Sequence, residues 1–132
     1  MMQYMLDTNT VSHLIRAHPG VKRRVVELPM GHLCISSTTA GELIFGLAKR
    51  TDAKRLHNAA REFLKRVEVL PWDGAVAECY GNVRADMEST GRVLAPLDML
   101  IAAHALATNT ALVTSDHAFA QVNELQVEDW TA

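Results

Sequence analysis

The sequence predicts one α/β domain with a mostly parallel sheet of four to five strands flanked by helices. Short apolar runs alternate along the chain with longer segments of helical periodicity. This alternation is typical of a parallel sheet that carries helices on its faces. The length of 132 residues suits one domain with one substantial core, and the chain contains no repeat, low-complexity segment or linker.

The strands are predicted by short apolar runs, and the last of them is the weakest. They cover residues 3–6, 32–36, 67–70, 111–114 and 125–128. Between them, apolar residues spaced three or four positions apart predict helices. These helices cover residues 10–17, 21–28, a segment ending near 50, 53–66, a segment ending near 88, and a segment ending at 107.

Helix ends are predicted from capping residues and from proline and glycine. The predicted side-chain caps are Thr38 or Thr39 for the third helix, Asp52 for the fourth and Asp73 for the fifth. The predicted breaks are His18-Pro19-Gly20 after the first helix, Gly91 after the fifth and Pro96 before the sixth. In the helix at 53–66, the residues predicted to face the core are Leu56, Ala60, Phe63 and Leu64.

The overall charge gives no reason to expect a nucleic-acid or membrane protein. The formal net charge is −2, so the whole molecule does not attract polyanions, although local patches also steer ligands. Basic residues are grouped at Lys22-Arg23-Arg24, Lys49-Arg50, Lys54-Arg55 and Lys65-Arg66. Charge patterning alone favours solvated helix faces for these groups.

The cysteines and the first residues point to a reduced, cytoplasmic protein. Cys34 and Cys79 lie far apart and outside any CxxC motif, which predicts two buried free thiols. The first residues lack the basic segment and long apolar stretch of a signal peptide. No apolar run approaches the ~18 residues that a membrane span requires.

Four acidic residues occupy positions where a carboxylate is unusual. Asp7 ends an apolar run, Glu42 lies in a helical stretch after the second strand, Asp98 opens the most apolar helix, and Asp116 follows the fourth strand. Because ligands bind beyond the carboxyl ends of parallel strands, one rim of the sheet could hold all four. Like charges brought together repel unless they share protons or bind a cation. The conjunction therefore predicts a divalent-metal site.

Each of the four acids also has a purely structural explanation. Asp7 could cap a helix, and Asp116 could cap the short helix through Phe119. Asp98, two residues after Pro96, could serve only to favour the helix dipole. Glu42 could be a surface glutamate. The metal hypothesis rests on the four together.

The residue types at this predicted site indicate which metal it would hold. Carboxylate oxygens are hard ligands that suit Mg²⁺ or Mn²⁺, whereas zinc favours histidine and cysteine. The six histidines form no paired ligand motif, and His104 on an apolar helix is predicted to be a satisfied core histidine. No glycine-rich phosphate loop and no GxSxG motif is present. Supporting contacts are predicted from Thr8, Asn9, Thr114 and Ser115.

The ordered set of motifs resembles the PIN-domain family, and most closely the VapC toxins of bacterial type II toxin–antitoxin pairs. The motifs are Met5-Leu6-Asp7-Thr8-Asn9, Gly41-Glu42-Leu43-Ile44-Phe45-Gly46, Pro96-Leu97-Asp98-Met99-Leu100-Ile101-Ala102-Ala103-His104-Ala105, Thr114-Ser115-Asp116 and Val127-Glu128-Asp129-Trp130. The resemblance covers essentially the whole chain, residues 1–132, as a single three-layer PIN-like nuclease domain.

The resemblance implies an endoribonuclease that depends on Mg²⁺ or Mn²⁺ and cleaves structured RNA, transfer RNA in several relatives, by water attack on a phosphodiester. It implies Asp7, Glu42, Asp98 and Asp116 as the catalytic, metal-binding acids. Many relatives have Asn near the fourth position and an acid a few residues later, where this chain has Ala118. Asp116 is therefore the candidate for the fourth acid.

The resemblance also implies two protein partners. One is a second copy of the chain, in a homodimer formed through the helices that follow the second strand. The other is a small antitoxin with a DNA-binding N-terminal part. We expect its C-terminal part to lie near Ile44 and Phe45 and to place an Arg or Lys among the four acids.

Other functions fit the residues less well. A haloacid-dehalogenase-like phosphatase requires a second aspartate two residues after the first, where this chain has Asn9. A phospho-accepting receiver domain requires an early acidic pair and a late lysine, and the chain has neither. A PIN-like protein that processes or only binds RNA stays open, although a binder would be expected to lack some of the four acids.

Overall fold

The computed structural model describes residues 2–132 and contains one sheet of five parallel strands. The strands are β1 (Tyr4–Leu6), β2 (Leu33–Ser36), β3 (Glu68–Leu70), β4 (Ala111–Val113) and β5 (Val127–Glu128). Their order across the sheet is β3-β2-β1-β4-β5, and every neighbouring pair is parallel. The predicted α/β class and strand positions are confirmed, with each strand slightly shorter than expected.

Six α-helices connect the strands. They are α1 (Thr8–Ile15), α2 (Pro19–Glu27), α3 (Ser37–Lys49), α4 (Lys54–Arg66), α5 (Gly74–Ser89) and α6 (Pro96–Thr108). Short 3-10 helices cover Met30–His32 and His117–Gln121. Across residues 2–132, none of the helices combines the length and the apolar character that a membrane crossing requires.

The core has two halves, one on each face of the sheet. Alternate residues of a strand point to opposite faces, so Met5 packs with α5 and α6 while Leu6 packs with α1 and α2. Phe63 of α4 joins the second half, and Met99 of α6 joins the first. Both faces are covered, as parallel sheets require, and the result is a three-layer arrangement.

Several helix starts differ from the prediction, and α1 begins at Thr8 and not at Thr10. Ser36, not Thr38 or Thr39, caps α3, because its hydroxyl accepts a hydrogen bond from the Thr38 N–H at 3.1 Å. The fourth helix begins after Ala53 without a side-chain cap, so Asp52 does not serve as one. Pro19, predicted to end α1, instead occupies the first turn of α2. There its fixed φ suits a helix start and its missing N–H is not needed.

The predicted start and end of the fifth helix are confirmed. Asp73 caps α5 by accepting a hydrogen bond from the Val76 N–H at 3.0 Å. Gly91, just beyond the end of α5, has a φ of 71°, which a residue without a Cβ adopts most easily. Asn109 ends α6 in the same left-handed region.

Both cysteines are free thiols, as predicted, but only one of them is buried. Burial, and after it the nearby Glu68 carboxylate, raises the pKa of Cys34 to about 12. Cys79 on α5 is half-buried, and partial burial raises its pKa as well. A raised pKa keeps a thiol protonated and poorly nucleophilic, so neither cysteine suits nucleophilic catalysis.

The strand order places a switch point beside β1. From β1 the chain moves first to β2 on one side and later to β4 on the other. In open parallel sheets such a point leaves a crevice beyond the carboxyl ends of the strands. Asp7 directly follows β1, and its N–H donates to the carbonyl of Val113, the last residue of β4. The fold therefore brings the first predicted site residue to this crevice.

Candidate functional site

Asp7 is held rigidly at the carboxyl end of β1. Only 4% of the residue is exposed. Its Oδ1 atom accepts a hydrogen bond from the Thr10 N–H at 2.8 Å and so caps α1. The Thr10 hydroxyl in turn donates to the Val113 carbonyl at 2.9 Å. Asp7 is thus the predicted cap, while its second oxygen, Oδ2, makes no hydrogen bond within residues 2–132.

Glu42 lies on the second turn of α3 and is oriented by Thr8. The Thr8 hydroxyl donates to Glu42 Oε1 at 2.6 Å and lies 3.5 Å from the hydroxyl of Thr39. A short bond from a hydroxyl to a carboxylate is a strong one. Glu42 is therefore not a freely moving surface glutamate, and Thr8 takes the supporting position predicted for it. Thr39, which is fully buried, is a neighbour of the site that sequence reasoning missed.

Asp98 lies in the first turn of α6 and is half-buried. Burial is the main cause that raises its pKa above the ordinary aspartate value. The carboxylates of Asp116, Asp7 and Glu42 raise the pKa of Asp98 further, in that order of influence. Each of the other three predicted acids is thus close enough to Asp98 to repel its negative charge.

Asp116 lies at the exposed rim of the crevice, after β4. Its Oδ1 accepts a hydrogen bond from the Ala118 N–H at 2.9 Å, so it does cap the short helix that follows it. The buried Thr114 supports it, because the Thr114 hydroxyl accepts a hydrogen bond from the Asp116 N–H at 3.0 Å. Asn9 and Ser115, also predicted as supports, make no side-chain hydrogen bond within residues 2–132.

The four acids form a cluster of negative charge without a protein counter-ion. Within residues 2–132, the five ion pairs all involve other carboxylates, on Glu62, Asp86, Glu88 and Glu128. In the same residues, no three acidic, histidine or cysteine side chains converge into a ready metal cage. An open arrangement of carboxylates suits Mg²⁺, which keeps several waters and takes only one or two carboxylates directly.

A buried hydrogen bond links the two helices that carry Glu42 and Asp98. His104, on α6, is fully buried, and its Nδ1 lies 2.7 Å from the hydroxyl of Ser36, the cap of α3. His104 is not fully satisfied as predicted, because its Nε2 has no partner with good geometry within residues 2–132. No local pattern indicates this link, since the two residues lie 68 positions apart.

The charge state of His104 follows from its surroundings. Burial lowers the pKa of His104, and the nearby Asp73 carboxylate and Pro71 carbonyl oppose this only in part. The imidazole is therefore neutral at pH 7, and it adds no positive charge beneath the acids. Its role at this position is to join α3 to α6.

Comparisons with known proteins agree on one family. Residues 4–125 match the PIN domain. The chain is 36% identical over 132 residues to the tRNA(fMet)-specific endonuclease VapC of Shigella flexneri, covering 99% of this chain and all of that protein. It is 32% identical over 131 residues to ribonuclease VapC2 of Haemophilus influenzae, covering 98% of this chain and 99% of that protein.

Solved structures give the same result. The chain superposes on a chain of DNA-bound VapBC from Salmonella typhimurium with a TM-score of 0.90 and 34% identity, covering 98% of this chain and 99% of that one. For VapBC2 from Rickettsia felis, bound to a promoter DNA fragment, the TM-score is 0.89 and the identity 32%, with the same coverage.

We predict that Asp98→Asn makes the fold more stable at neutral pH when no divalent cation is present. The pKa of Asp98 is raised in the folded state, so the charged form that predominates at pH 7 is disfavoured there. In the wild type, stability falls as the pH rises from the unfolded value of ~3.9 through this raised pKa. The asparagine variant lacks that loss of stability. Its greater stability relative to the wild type should therefore disappear as the pH is lowered toward ~4.

The increase in the free energy of unfolding caused by Asp98→Asn should be below about 1 kcal/mol, because solvent screens the half-buried carboxylate and the α6 dipole favours its charge. Thermal unfolding in EDTA at a series of pH values measures it. A variant that melts below the wild type at pH 7, or whose advantage persists unchanged in acid, would contradict the inferred repulsion.

Proposed function

The chain belongs to the VapC family of PIN-domain ribonucleases, and we propose that its four carboxylates perform this activity by holding Mg²⁺ or Mn²⁺ beside a phosphodiester. Its function is that of an endoribonuclease toxin that a cognate antitoxin neutralises. The observation that carries the metal proposal is the four-acid cluster with no cationic partner in residues 2–132. A divalent cation would offset that repulsion.

The donor atoms fit such a cation. All four candidate ligands are carboxylates, and hydroxyls of Thr8 and Thr114 surround them, so hard oxygen atoms make up the site. When bound, the metal would neutralise phosphate charge and acidify a water for attack on phosphorus. Asp7, which is buried, and the half-buried Asp98 would supply its fixed charges, and the exposed Asp116 at the rim would face the entering substrate.

The remaining residues position these groups. Thr8 fixes one oxygen of Glu42 and leaves the other free to accept a hydrogen bond from a water. The caps made by Asp7 and Asp116 each engage Oδ1 and leave Oδ2 available. Preorganised groups of this kind need not be ordered again during the reaction. We propose that the chain's own contribution is this fixed placement of negative charge.

The substrate is proposed to be a structured RNA, with initiator transfer RNA as the first candidate. Relatives from Shigella flexneri and Salmonella typhimurium are named tRNA(fMet)-specific endonucleases, and they match this chain over nearly its whole length. Sequencing of RNA ends after brief induction of the protein would test this choice. Cuts in another RNA class would replace the candidate and leave the nuclease chemistry intact.

The antitoxin is proposed to bind beside the site on an apolar surface of α3. Ile44 is 43% exposed and Phe45 is 62% exposed. Both lie on α3, the helix that carries Glu42. We propose that the C-terminal part of the antitoxin covers these side chains and places an arginine or lysine among the four acids. A guanidinium fork matches carboxylate geometry and would replace the metal's charge. Its N-terminal part would bind DNA.

A homodimer formed through the helices that follow β2 stays a prediction. The exposed apolar side chains of α3 are the candidates for this contact, where the antitoxin does not cover them. A two-fold contact would bury such side chains on both copies at once. Light scattering at micromolar concentration tests it.

We predict that Asp7→Asn abolishes RNA cleavage while the protein stays folded. Asparagine caps a helix as well as aspartate does, so the start of α1 is preserved and only the charge is removed. Thr8→Val should cause a smaller decrease, roughly 10- to 100-fold, because it frees Glu42 without removing a carboxylate. Initial rates on purified RNA, at equal amounts of folded protein, measure both effects.

Two variants serve as controls for this prediction. Thr8→Ser keeps the hydroxyl and should retain most activity. Lys65→Gln, at the far end of α4, should cleave like the wild type. Wild-type turnover by Asp7→Asn would remove that residue from the site.

We predict that cleavage requires Mg²⁺ or Mn²⁺. EDTA should abolish it, Mn²⁺ should restore it, and Zn²⁺ should substitute poorly, because the predicted ligands include no thiolate or imidazole. Mn²⁺ should also raise the melting temperature of the wild type more than that of Asp98→Asn, since a ligand stabilises the state that binds it. Cleavage that persists in EDTA but is absent from Asp7→Asn would mean that the carboxylates act without a metal.

We predict that the metal and the antitoxin compete. Replacing the antitoxin's basic residue should weaken inhibition more than binding, because the apolar contact remains. Phe45→Ala should weaken antitoxin binding. Val93→Ala, at an exposed apolar residue before α6, should change neither antitoxin binding nor inhibition. Inhibition assays at rising Mn²⁺ measure the competition. An apparent inhibition constant that does not change with Mn²⁺ would exclude charge replacement.

A further inference from the structure

A groove runs from the four-acid site across α1, α3 and α4. Thr8 and Glu42 line the end nearest the acids, and its floor is apolar, formed in part by Leu43 and Leu56. Arg16 and Arg50 line both this groove and the shallower hollow that continues from it. The two depressions therefore form one continuous path on the surface.

Five cations follow this path, and we call them the basic strip. They are Arg16, Lys49, Arg50, Lys54 and Arg55. All five are exposed, and none makes an ion pair within residues 2–132. The other basic residues of the chain include five that do pair with acids, namely Arg24, Lys65, Arg66, Arg84 and Arg92. Among the described residues that line the hollow, Asp52 is the one carboxylate.

Two of these cations work against the stability of their own helix. Lys54 and Arg55 form the first turn of α4, which contains no acid, and Ala53 provides no side-chain cap. Cations at a helix N-terminus face the positive end of its dipole, which is unfavourable. Helix stability therefore does not explain why they are there.

Gly46 exposes the backbone of α3 to the groove. It lies in the interior of α3 and lines the groove, and a Cβ added there would meet no atom within 4 Å. Glycine inside a helix is less favourable than alanine, because it loses more backbone freedom on folding. Packing within the chain does not require a glycine at this position. A ligand that approaches the α3 backbone closely would require one.

The charges of the site and of its substrate favour a cationic path beside the acids. Four carboxylates repel the phosphates of an incoming RNA, and the formal net charge of −2 supplies no compensating attraction. Positive side chains close to the acids, in addition to a bound metal, would therefore favour RNA binding there. The basic strip begins at the groove that Glu42 and Thr8 line.

We propose that the basic strip binds the sugar–phosphate backbone of the RNA on one side of the scissile bond, with Arg16, Arg50, Lys54 and Arg55 contacting phosphates. This inference rests on the proposed ribonuclease function and deepens it by assigning where the substrate lies. Contacts to phosphates position a nucleic acid without selecting its sequence. The strip thus supplies affinity, and it leaves the choice of RNA to other contacts.

The test compares two pairs of substitutions on the same helix. Lys54→Gln/Arg55→Gln removes two charges from the strip. Lys65→Gln/Arg66→Gln removes two charges from the other end of α4, roughly 16 Å away along its axis. The first pair relieves an unfavourable dipole interaction and the second removes a favourable one, so the strip variant should be at least as stable as its control. Weaker RNA binding by the strip variant then cannot come from unfolding.

Binding is measured in the Asp7→Asn protein, which is predicted not to cleave RNA, without divalent metal and at a series of salt concentrations. The probes are a fluorescent initiator transfer RNA transcript and a fluorescent oligouridylate. Removing one charge that neutralises a phosphate should reduce the slope of log affinity against log salt by about 0.7, which is about fivefold in affinity at ~0.1 M salt. The strip pair should therefore bind both probes about 25-fold more weakly, and the control pair should bind them like the parent.

Cleavage gives a second measurement. In the active protein with Mn²⁺, the strip pair and Arg16→Gln/Arg50→Gln should raise KM and leave kcat nearly unchanged, because neither touches the carboxylates. Equal salt slopes for the strip and control pairs would overturn the proposal. It would also be overturned if the strip pair kept its RNA affinity and bound the antitoxin more weakly, because the groove would then serve that partner.

Different results would contradict the placement of RNA on the basic strip and the metal-dependent cleavage. If the wild-type protein cleaves RNA but the strip variants bind and cleave RNA normally, only the placement of the substrate is wrong. If the strip variants bind RNA weakly as expected but no metal restores cleavage by the wild type, the metal-dependent chemistry is wrong and the strip remains.

Discussion

Mutual repulsion among four carboxylates is the constraint on which the rest of this structure depends. At Asp98, burial raises the pKa most, and the carboxylates of the other three acids raise it further. Such a cluster forms only if stronger interactions fix the elements that carry it. The parallel pairing of β1 with β4 fixes Asp7, and the hydrogen bond between Ser36 and His104 joins the helices of Glu42 and Asp98. The buried sheet and helices therefore stabilise a surface that would not assemble by itself.

The same side chains serve both the fold and the site. Asp7 and Asp116 each cap a helix with one carboxylate oxygen and leave the other unbonded within residues 2–132. The structural and the functional explanations of these residues are therefore not alternatives. A carboxylate has two oxygens, and a cap uses one of them. Capping also fixes the side chain, which is the placement that a metal ligand needs.

Sequence patterns predict what depends on local order and miss what depends on interactions between distant residues. Periodicity predicts the five strands and six helices, and the positions of the acids after strands predict the candidate site. The predicted cap of α3 falls two or three residues late, because Ser36 reads as part of β2 and its hydroxyl is held by His104, 68 residues away. The basic strip is likewise hidden, since Arg16 and Arg50 come together only through the packing of α1 against α3.

The proposed metal and the proposed basic residue of the antitoxin would both act on the charge of the four acids. A divalent cation and a basic side chain of an antitoxin would each relieve the repulsion among the acids, and whichever binds also stabilises the fold by mass action. Because both act on the same charges, binding of one must weaken binding of the other. The acids favour cations and the basic strip favours phosphates, so the two ends of the groove select opposite ligands. An inhibitor that satisfies only the acidic end would leave the strip able to hold RNA, so under this proposal it would act by excluding the metal and not the substrate.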